Sequence, residues 1–259
     1  MLEYIRENGN PLMGQRLHLC RALSKMGLCS RTEASAWIEK EQVLVNGLVE
    51  KDPQRWVELG KDTIVPLFAQ ASQSIAQVTQ NTSNEKIYLA LYKPPGYVTT
   101  RNDELGRKTV YELLPAEHNQ DWIFPIGRLD LESEGLLLFT NDGVFSNHLT
   151  EPNHSIIKTY HVQLDKKPLL IDLQKLADGI ALEGRKTLPA KYETLQGKWV
   201  KVELQEGRNR QIRKSFHELG YKVKRLIRIA IGNVILDELE PGKCRSLTQN
   251  EVSTLSINY

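Results

Sequence analysis

At 259 residues the chain can bury a full core, with room for one large domain or for a small domain beside a larger one. No apolar run approaches the ~20 residues of a membrane span and residues 1–15 lack the apolar centre of a signal peptide, so a soluble, cytoplasmic protein with no membrane partner is expected. A net charge of +2, three scattered cysteines and six separated histidines argue against a disulfide framework or a metal site, and leave the placement of the charges as the informative quantity.

Residues 1–15 read as an N-terminal arm. From Arg16 to Met26, Leu17, Leu23 and Met26 recur at helical spacing, and Gly27 follows where a left-handed cap would sit, which predicts a first helix. Ser30-Arg-Thr-Glu33 has the form of a capping box and opens a second helix to about Lys40, with Ala34, Trp37 and Ile38 on its apolar face. Val43-Leu-Val-Asn46-Gly47-Leu-Val reads as a hairpin whose Asn-Gly turn accepts positive φ at both central positions. Ile64 to Phe68 would close the small domain as a final strand. This helix-helix-hairpin order, with Leu-Cys-Ser30-Arg-Thr-Glu-Ala and Val-Leu-Val-Asn46-Gly, resembles the S4 RNA-binding domain and bounds a small domain over 16–68. The resemblance implies that Arg16, Arg21, Ser30, Arg31 and Lys40 line a face for structured RNA.

Residues 69–84 carry no charge and alternate Gln with Ser, Ala and Thr, a tract that buries too little to offset its ordering entropy and so reads as a linker. The large domain, 85–259, opens on a strand ending at Lys93, in which Ile87, Leu89 and Leu91 share a face. Lys93-Pro-Pro-Gly96 breaks it. Arg101, Arg107 and Lys108 follow, in what reads as a mobile loop that grips RNA. Gly127-Arg-Leu-Asp130-Leu-Glu132-Ser-Glu134 then places an acidic loop directly ahead of a buried strand, Gly135 to Phe139. A carboxylate at the mouth of such a strand is held rigidly and partly shielded from water, which suits a nucleophile or general base, and Asp130 is the candidate.

Downstream, Asp142 is placed to cap a short helix ending before Pro152. Lys158 to Leu164 alternates as a strand with Tyr160, Val162 and Leu164 on one face and His161 on the other. Ile171 to Asp178 reads as a helix stopped by Gly179, and Trp199 to Leu204 as another strand. Ile212, Phe216 and Leu219 fall at helical spacing, Lys222 to Arg228 forms a basic strand, and Thr248 to Glu251 is a closing capping box. From Glu206 to Arg228 eight Lys/Arg stand against two Glu. Such a basic surface, with a second one in the small domain, suits a long polyanion.

Gly-Arg-Leu-Asp130 followed by Glu134-Gly-Leu-Leu-Leu-Phe-Thr-Asn-Asp-Gly143 closely resembles the active-site motif of the RsuA/RluB/RluF branch of the pseudouridine synthases, which modify ribosomal RNA. The resemblance implies that Asp130 is the catalytic residue. Lys-Pro-x-Gly at 93–96, Lys-x-Tyr160-x-Val and Glu206-Gly-Arg-Asn-Arg210-Gln-Ile-Arg213 resemble further motifs of that family. They imply that Tyr160 stacks on the target base, that Arg213 pairs with Asp130 and keeps it charged, and that Leu226 lines the base pocket. Arg128 would fill the gap left by the flipped base, with Arg208, Arg210 and Lys224 on the RNA surface. The Arg-Asn-Arg wording is closer to the large-subunit enzymes. The implied protein is a monomeric, cofactor-free isomerase acting on 23S rRNA or a ribosomal subunit precursor, with an α+β fold: a small α-α-β S4-like domain linked to a mixed, mainly antiparallel sheet with flanking helices. The alternatives are a small-subunit 16S rRNA enzyme, a non-catalytic S4-type assembly factor, and a glycosidase pairing Asp130 with Glu132 or Glu134. The last is disfavoured because one loop cannot easily oppose two carboxyls at ~5 Å or more across a bond.

Overall fold

The computed structural model describes residues 16–26, 29, 31–67, 86–101, 103–118, 123–151 and 156–256. The expected arm, the Gly27 cap, the Ser30 capping box and RNA contact, and the 69–84 linker lie outside the described residues. Contacts between α-carbons divide the chain into two units, Met1–Lys86 and Ile87–Tyr259.

In the first unit, β1 (Arg16–His18) pairs antiparallel with β4 (Trp56–Glu58), and helices α1 (Leu19–Lys25) and α2 (Arg31–Glu39) follow β1. The three-stranded sheet has the order β3 (Leu48–Glu50), β2 (Val43–Val45), β5 (Ile64–Pro66). The expected first helix therefore starts three residues late. Arg16 and Leu17 belong to a strand, because the His18 ring packs on Trp56 at 4.1 Å and the Leu19 amide is taken by the Arg55 carbonyl at 2.8 Å. The Asn46-Gly47 turn has φ of 52° and 81°, as its residues require. Leu19, Leu23, Ala34, Ile38, Val43 and Val45 are its buried centre.

The second unit is built on a nine-stranded mixed sheet. Its main path runs β12 (Lys191–Thr194), β13 (Trp199–Leu204), β9 (Lys158–Leu164), β14 (Val223–Ile231), β8 (Glu134–Thr140), β6 (Tyr88–Lys93), β16 (Cys244–Ser246). β7 (Phe124–Ile126) adds to β8 and β15 (Val234–Ile235) to β14. A separate hairpin joins β10 (Ala181–Leu182) to β11 (Arg185–Lys186). All pairs in the large sheet are antiparallel except β8 with β14. β8 is buried at every residue, which is why it reads as an unbroken apolar run and not an alternating one.

Both faces of this sheet are covered, and the alternation along each strand says by what. Leu137 and Phe139 of β8 join Leu89 and Leu91 of β6 in one apolar cluster. Val162 and Leu226 share that side of the sheet but belong to a second cluster, closed by α4 (Leu170–Asp178) and α5 (Gln211–Glu218). On the reverse side Leu136 and Leu138 pack with Phe145 and Leu149 of α3 (Gly143–Thr150) and with Leu255 of α6 (Gln249–Ser256). Asp142 caps α3 through the amides of Val144 and Phe145, and Thr248 with Glu251 forms the closing capping box.

Candidate active site

Residues 127–133 lead into β8, and their backbone is pinned from outside the loop. Thr99 Oγ1 donates to the Leu129 carbonyl at 2.8 Å and accepts from the Leu129 amide at 3.3 Å. The Gly96 amide donates to the Leu131 carbonyl at 2.8 Å. Arg213 Nη2 donates to the Glu132 carbonyl at 3.3 Å, and Lys93 Nζ to the Ser133 carbonyl at 2.7 Å. A turn closes between the Asp130 carbonyl and the Ser133 amide at 3.0 Å. The main chain is thus fixed while the Asp130 side chain remains 33% exposed. Fixed placement with partial burial is what a reacting carboxylate needs.

The Lys93-Pro-Pro-Gly96 turn and the segment after it supply much of this support. The Val98 amide donates to the Lys108 carbonyl at 2.9 Å and the Val110 amide to the Val98 carbonyl at 3.0 Å. Arg107 is held by Asp103, and Arg101 lies over the Tyr111 ring at 4.5 Å while donating to the Ile123 carbonyl. The segment expected to be a mobile loop is instead tied into the fold, and Arg101 and Arg107 are engaged by their own chain. Arg208 is engaged likewise, by Glu206 and by the carbonyls of Arg185 and Lys186. Lys108 Nζ lies 5.8 Å from the centre of the Tyr97 ring. Arg16, Arg21, Arg31, Lys40, Arg128 and Lys224 are exposed.

The expected pairing of Arg213 with Asp130 needs correction. Among the described residues the cation within ion-pair distance of Asp130 is Arg210, whose Nη1 lies 3.8 Å from Oδ2. Arg210 has a left-handed backbone, φ 52° and ψ 31°, at the start of α5, and its Nη2 also contacts Glu132 at 3.1 Å. Arg213, one turn further on, donates to two carbonyls, Glu132 and Val223, and lies 3.9 Å from the Glu132 carboxylate, so it braces the loop against the start of β14. Burial pulls the Arg213 guanidinium below its usual value, opposed by Glu132 and, more weakly, by Asp130. Arg210 beside Glu132 holds the latter's carboxyl below the usual carboxylate range.

Glu134 is turned the other way, as the first residue of β8. It is 7% exposed, accepts both Nε and Nη2 of Arg225 at 2.9 and 3.1 Å, and receives the Tyr92 hydroxyl at 3.3 Å. With Glu132 and Glu134 both paired to arginines, neither is a free partner for Asp130 in a two-carboxylate mechanism.

Tyr160 is half-buried and packs on the cluster that holds Leu226 and Val162. Across the β9 to β14 pairing it stands opposite Arg228. Leu226 is buried two residues before Arg228, and Arg213 bonds the Val223 carbonyl at the head of the same strand. His161 points to the reverse face, among Trp199, Arg225 and Ile227.

Sequence reasoning assigned Arg228 no role beyond the basic strand and marked Lys93 only as the opening of the Lys-Pro-x-Gly motif, without its burial. Lys93 is fully buried, and burial pulls its ammonium down to about 8, with Asp130 and Glu134 opposing the shift. Its signal lay in the phase of β6, where Lys93 occupies the position that continues Leu89 and Leu91. Arg228 is 5% exposed and donates Nε to the Leu136 carbonyl at 2.7 Å.

A family profile described as RNA pseudouridylate synthase matches residues 87–218, and one for the S4 domain matches residues 19–64. The chain is 35% identical over 243 residues to ribosomal large subunit pseudouridine synthase B of Bacillus subtilis (strain 168), covering 92% of this chain and 94% of that protein. A protein of the same name from Yersinia pestis is 35% identical over 231 residues, covering 86% of this chain and 69% of its own. A crystal structure of a pseudouridylate synthase superposes with a TM-score of 0.65 at 31% identity, covering 92% of this chain and 99% of that one.

Proposed function

The chain belongs to the RNA pseudouridylate synthases, and on that premise we propose that it isomerises one uridine of large-subunit 23S rRNA to pseudouridine, with Asp130 as the catalytic carboxylate. The reaction breaks the N1 to C1′ bond, turns the uracil, rejoins it through C5, removes the C5 proton and leaves a proton on N1. Atoms and electrons balance within the nucleotide itself, so the chemistry asks for a positioned carboxylate and a surface to receive the base. The observation that carries this reading is the loop around Asp130: four of its carbonyls accept bonds from outside the loop while the carboxylate faces outward.

A base must leave its stack before it can be turned, at a cost of a few kcal/mol, and it needs an aromatic surface on arrival. Tyr160 offers that surface, with Leu226 in the same cluster. Arg210 stands beside Asp130, its Nη1 3.8 Å from Oδ2, and helps to hold the carboxylate in place. Arg128, exposed two residues before Asp130, is assigned the gap in the RNA stack. The S4 unit and the exposed Lys224 supply further RNA contacts, in a cytoplasmic enzyme. Among the described residues no helix is long and apolar enough to cross a membrane.

The test is to map pseudouridines in rRNA from cells with and without the gene, and then with an Asp130→Asn copy. One 23S position should lose its modification in both altered strains, and the Asp130→Asn protein should bind the same RNA with turnover reduced at least about a thousandfold. Undiminished modification by Asp130→Asn would overturn the assignment of the carboxylate. An unchanged map in the deletion would overturn the function.

A further inference from the structure

Near Tyr160, Arg228 is buried and Lys158 half-buried, and neither has an anionic partner among the described residues. Arg228 is 5% exposed, and its Nε donates to the Leu136 carbonyl at 2.7 Å. Its Nη2 is buried with no hydrogen-bond partner among the described residues. Lys158, half-buried two residues before Tyr160, has no ion pair among the described residues. Burial and the charge of Arg228 both pull its ammonium below the usual value. Lys93, the third cation of this neighbourhood, also feels Arg228, but its ammonium is taken up by the carbonyls of Pro94 and Ser133.

Buried charge that is neither paired nor fully hydrogen-bonded is costly, and a fold stable without it would replace it by apolar side chains. Glu134, the nearest acid on β8, does not meet the need, because it points to the reverse face and is held by Arg225. Arg228 is instead the register partner, on the neighbouring strand, of Tyr160, whose ring is assigned to the target base.

We propose that Arg228 and Lys158 together form the site for a backbone phosphate flanking the target uridine, so that the buried Nη2 of Arg228 finds its acceptor in the RNA. The proposal rests on the functional reading above for the placement of the uridine. Guanidinium and ammonium groups partly shielded from water are the donors best suited to a phosphodiester oxygen. The contact would also hold the sugar of the flipped nucleotide over Asp130.

The experiment compares wild-type protein with Arg228→Met and Lys158→Met on the 23S rRNA fragment that wild type binds most tightly. It uses fragments in which the phosphodiesters flanking the target uridine are replaced singly by methylphosphonate. Each variant should weaken binding roughly tenfold, as expected for a charge-assisted bond, and should lower the slope of log affinity against log salt by about one. Neutralising one particular phosphate should weaken wild type by the same factor and the variants no further. Arg228→Met should be at least as resistant to urea as wild type, since it removes a buried charge without a counter-ion. Lys158→Met, at a half-buried position, covers the case in which Arg228→Met fails to fold.

Variants as sensitive as wild type to every methylphosphonate, or with unchanged affinity, would overturn the proposal. If wild type converts the uridine and the variants match it, this inference fails and the function stands. If wild type makes no pseudouridine but shows the Arg228-dependent phosphate effect, the function fails and the phosphate site stands.

Discussion

The ammonium of Lys93 lies 2.7 Å from the carbonyl of Ser133, so a fully buried cation at the end of β6 holds the loop that carries Asp130. Lys93→Met keeps the length of the side chain and removes the donor. Turnover should fall roughly ten- to a hundredfold through misplacement of the loop, with RNA affinity little changed. Single-turnover rates and filter binding separate the two.

The same residue gives a pH signature. Lys93 titrates near 10.5 in an unfolded chain and about 8 in the folded protein. Between those values the unfolded state holds more protons, so raising pH favours the folded state. The stability of wild type relative to Lys93→Met should therefore rise from about pH 8 towards 10.5, by on the order of 1.4 kcal/mol per pH unit. Urea denaturation of both proteins across that window checks it, and a difference that is flat or falls with pH contradicts it.

Gly135 has φ of 106°, and a Cβ there would lie 2.3 Å from the backbone oxygen of Arg228. The strain and the clash act together, since β8 and β14 meet at this pair. Gly135→Ala should cost on the order of 3 kcal/mol or more in urea denaturation and should displace Asp130 with it. A change below about 1 kcal/mol would mean that the strands separate easily here.

Arg210 and Arg213 should respond differently to lysine. Arg210 acts as a charge on the exposed Glu132 and the half-buried Asp130, so Arg210→Lys should keep most of the activity. Arg213 bonds two carbonyls on separate elements with one planar group, which an ammonium cannot reproduce. Arg213→Lys should lower turnover about tenfold or more with RNA affinity unchanged, as single-turnover assays would show. Equal effects would remove the distinction between charge and brace.

Much of the fold and of the surroundings of Asp130 was legible because the signals are local. The apolar run of β8, the Asp142 cap, the Asn46-Gly47 turn and the alternation around Tyr160 each depend on residues a few positions apart. The strand at Arg16 was not, because its three residues carry no period and their partner lies near Trp56. The exchange of roles between Arg210 and Arg213 was hidden for another reason. It turns on the left-handed backbone of Arg210, a non-glycine residue in which that conformation leaves no mark on composition. The burial of Lys93 and Arg228 was visible only as a basic residue in core phase, a signal easily set aside because lysine and arginine are mostly exposed.

Glu134 begins β8 directly after the Asp130 loop, and its pairing with Arg225 and Tyr92 closes the reverse face of the sheet at that point. Arg225 is half exposed and also lies 5.7 Å from the Trp199 ring, so its removal costs less than that of a buried cation but leaves a 7% exposed carboxylate without its partner. Arg225→Met should therefore destabilise the protein by about 1–3 kcal/mol. Adding Glu134→Gln should recover part of that loss, because the amide can still accept from Tyr92 and no charge remains to be solvated. A double-mutant cycle in urea measures the coupling. Additive losses would place the stabilisation in the packing of Arg225 on Trp199 and not in its bonds to Glu134.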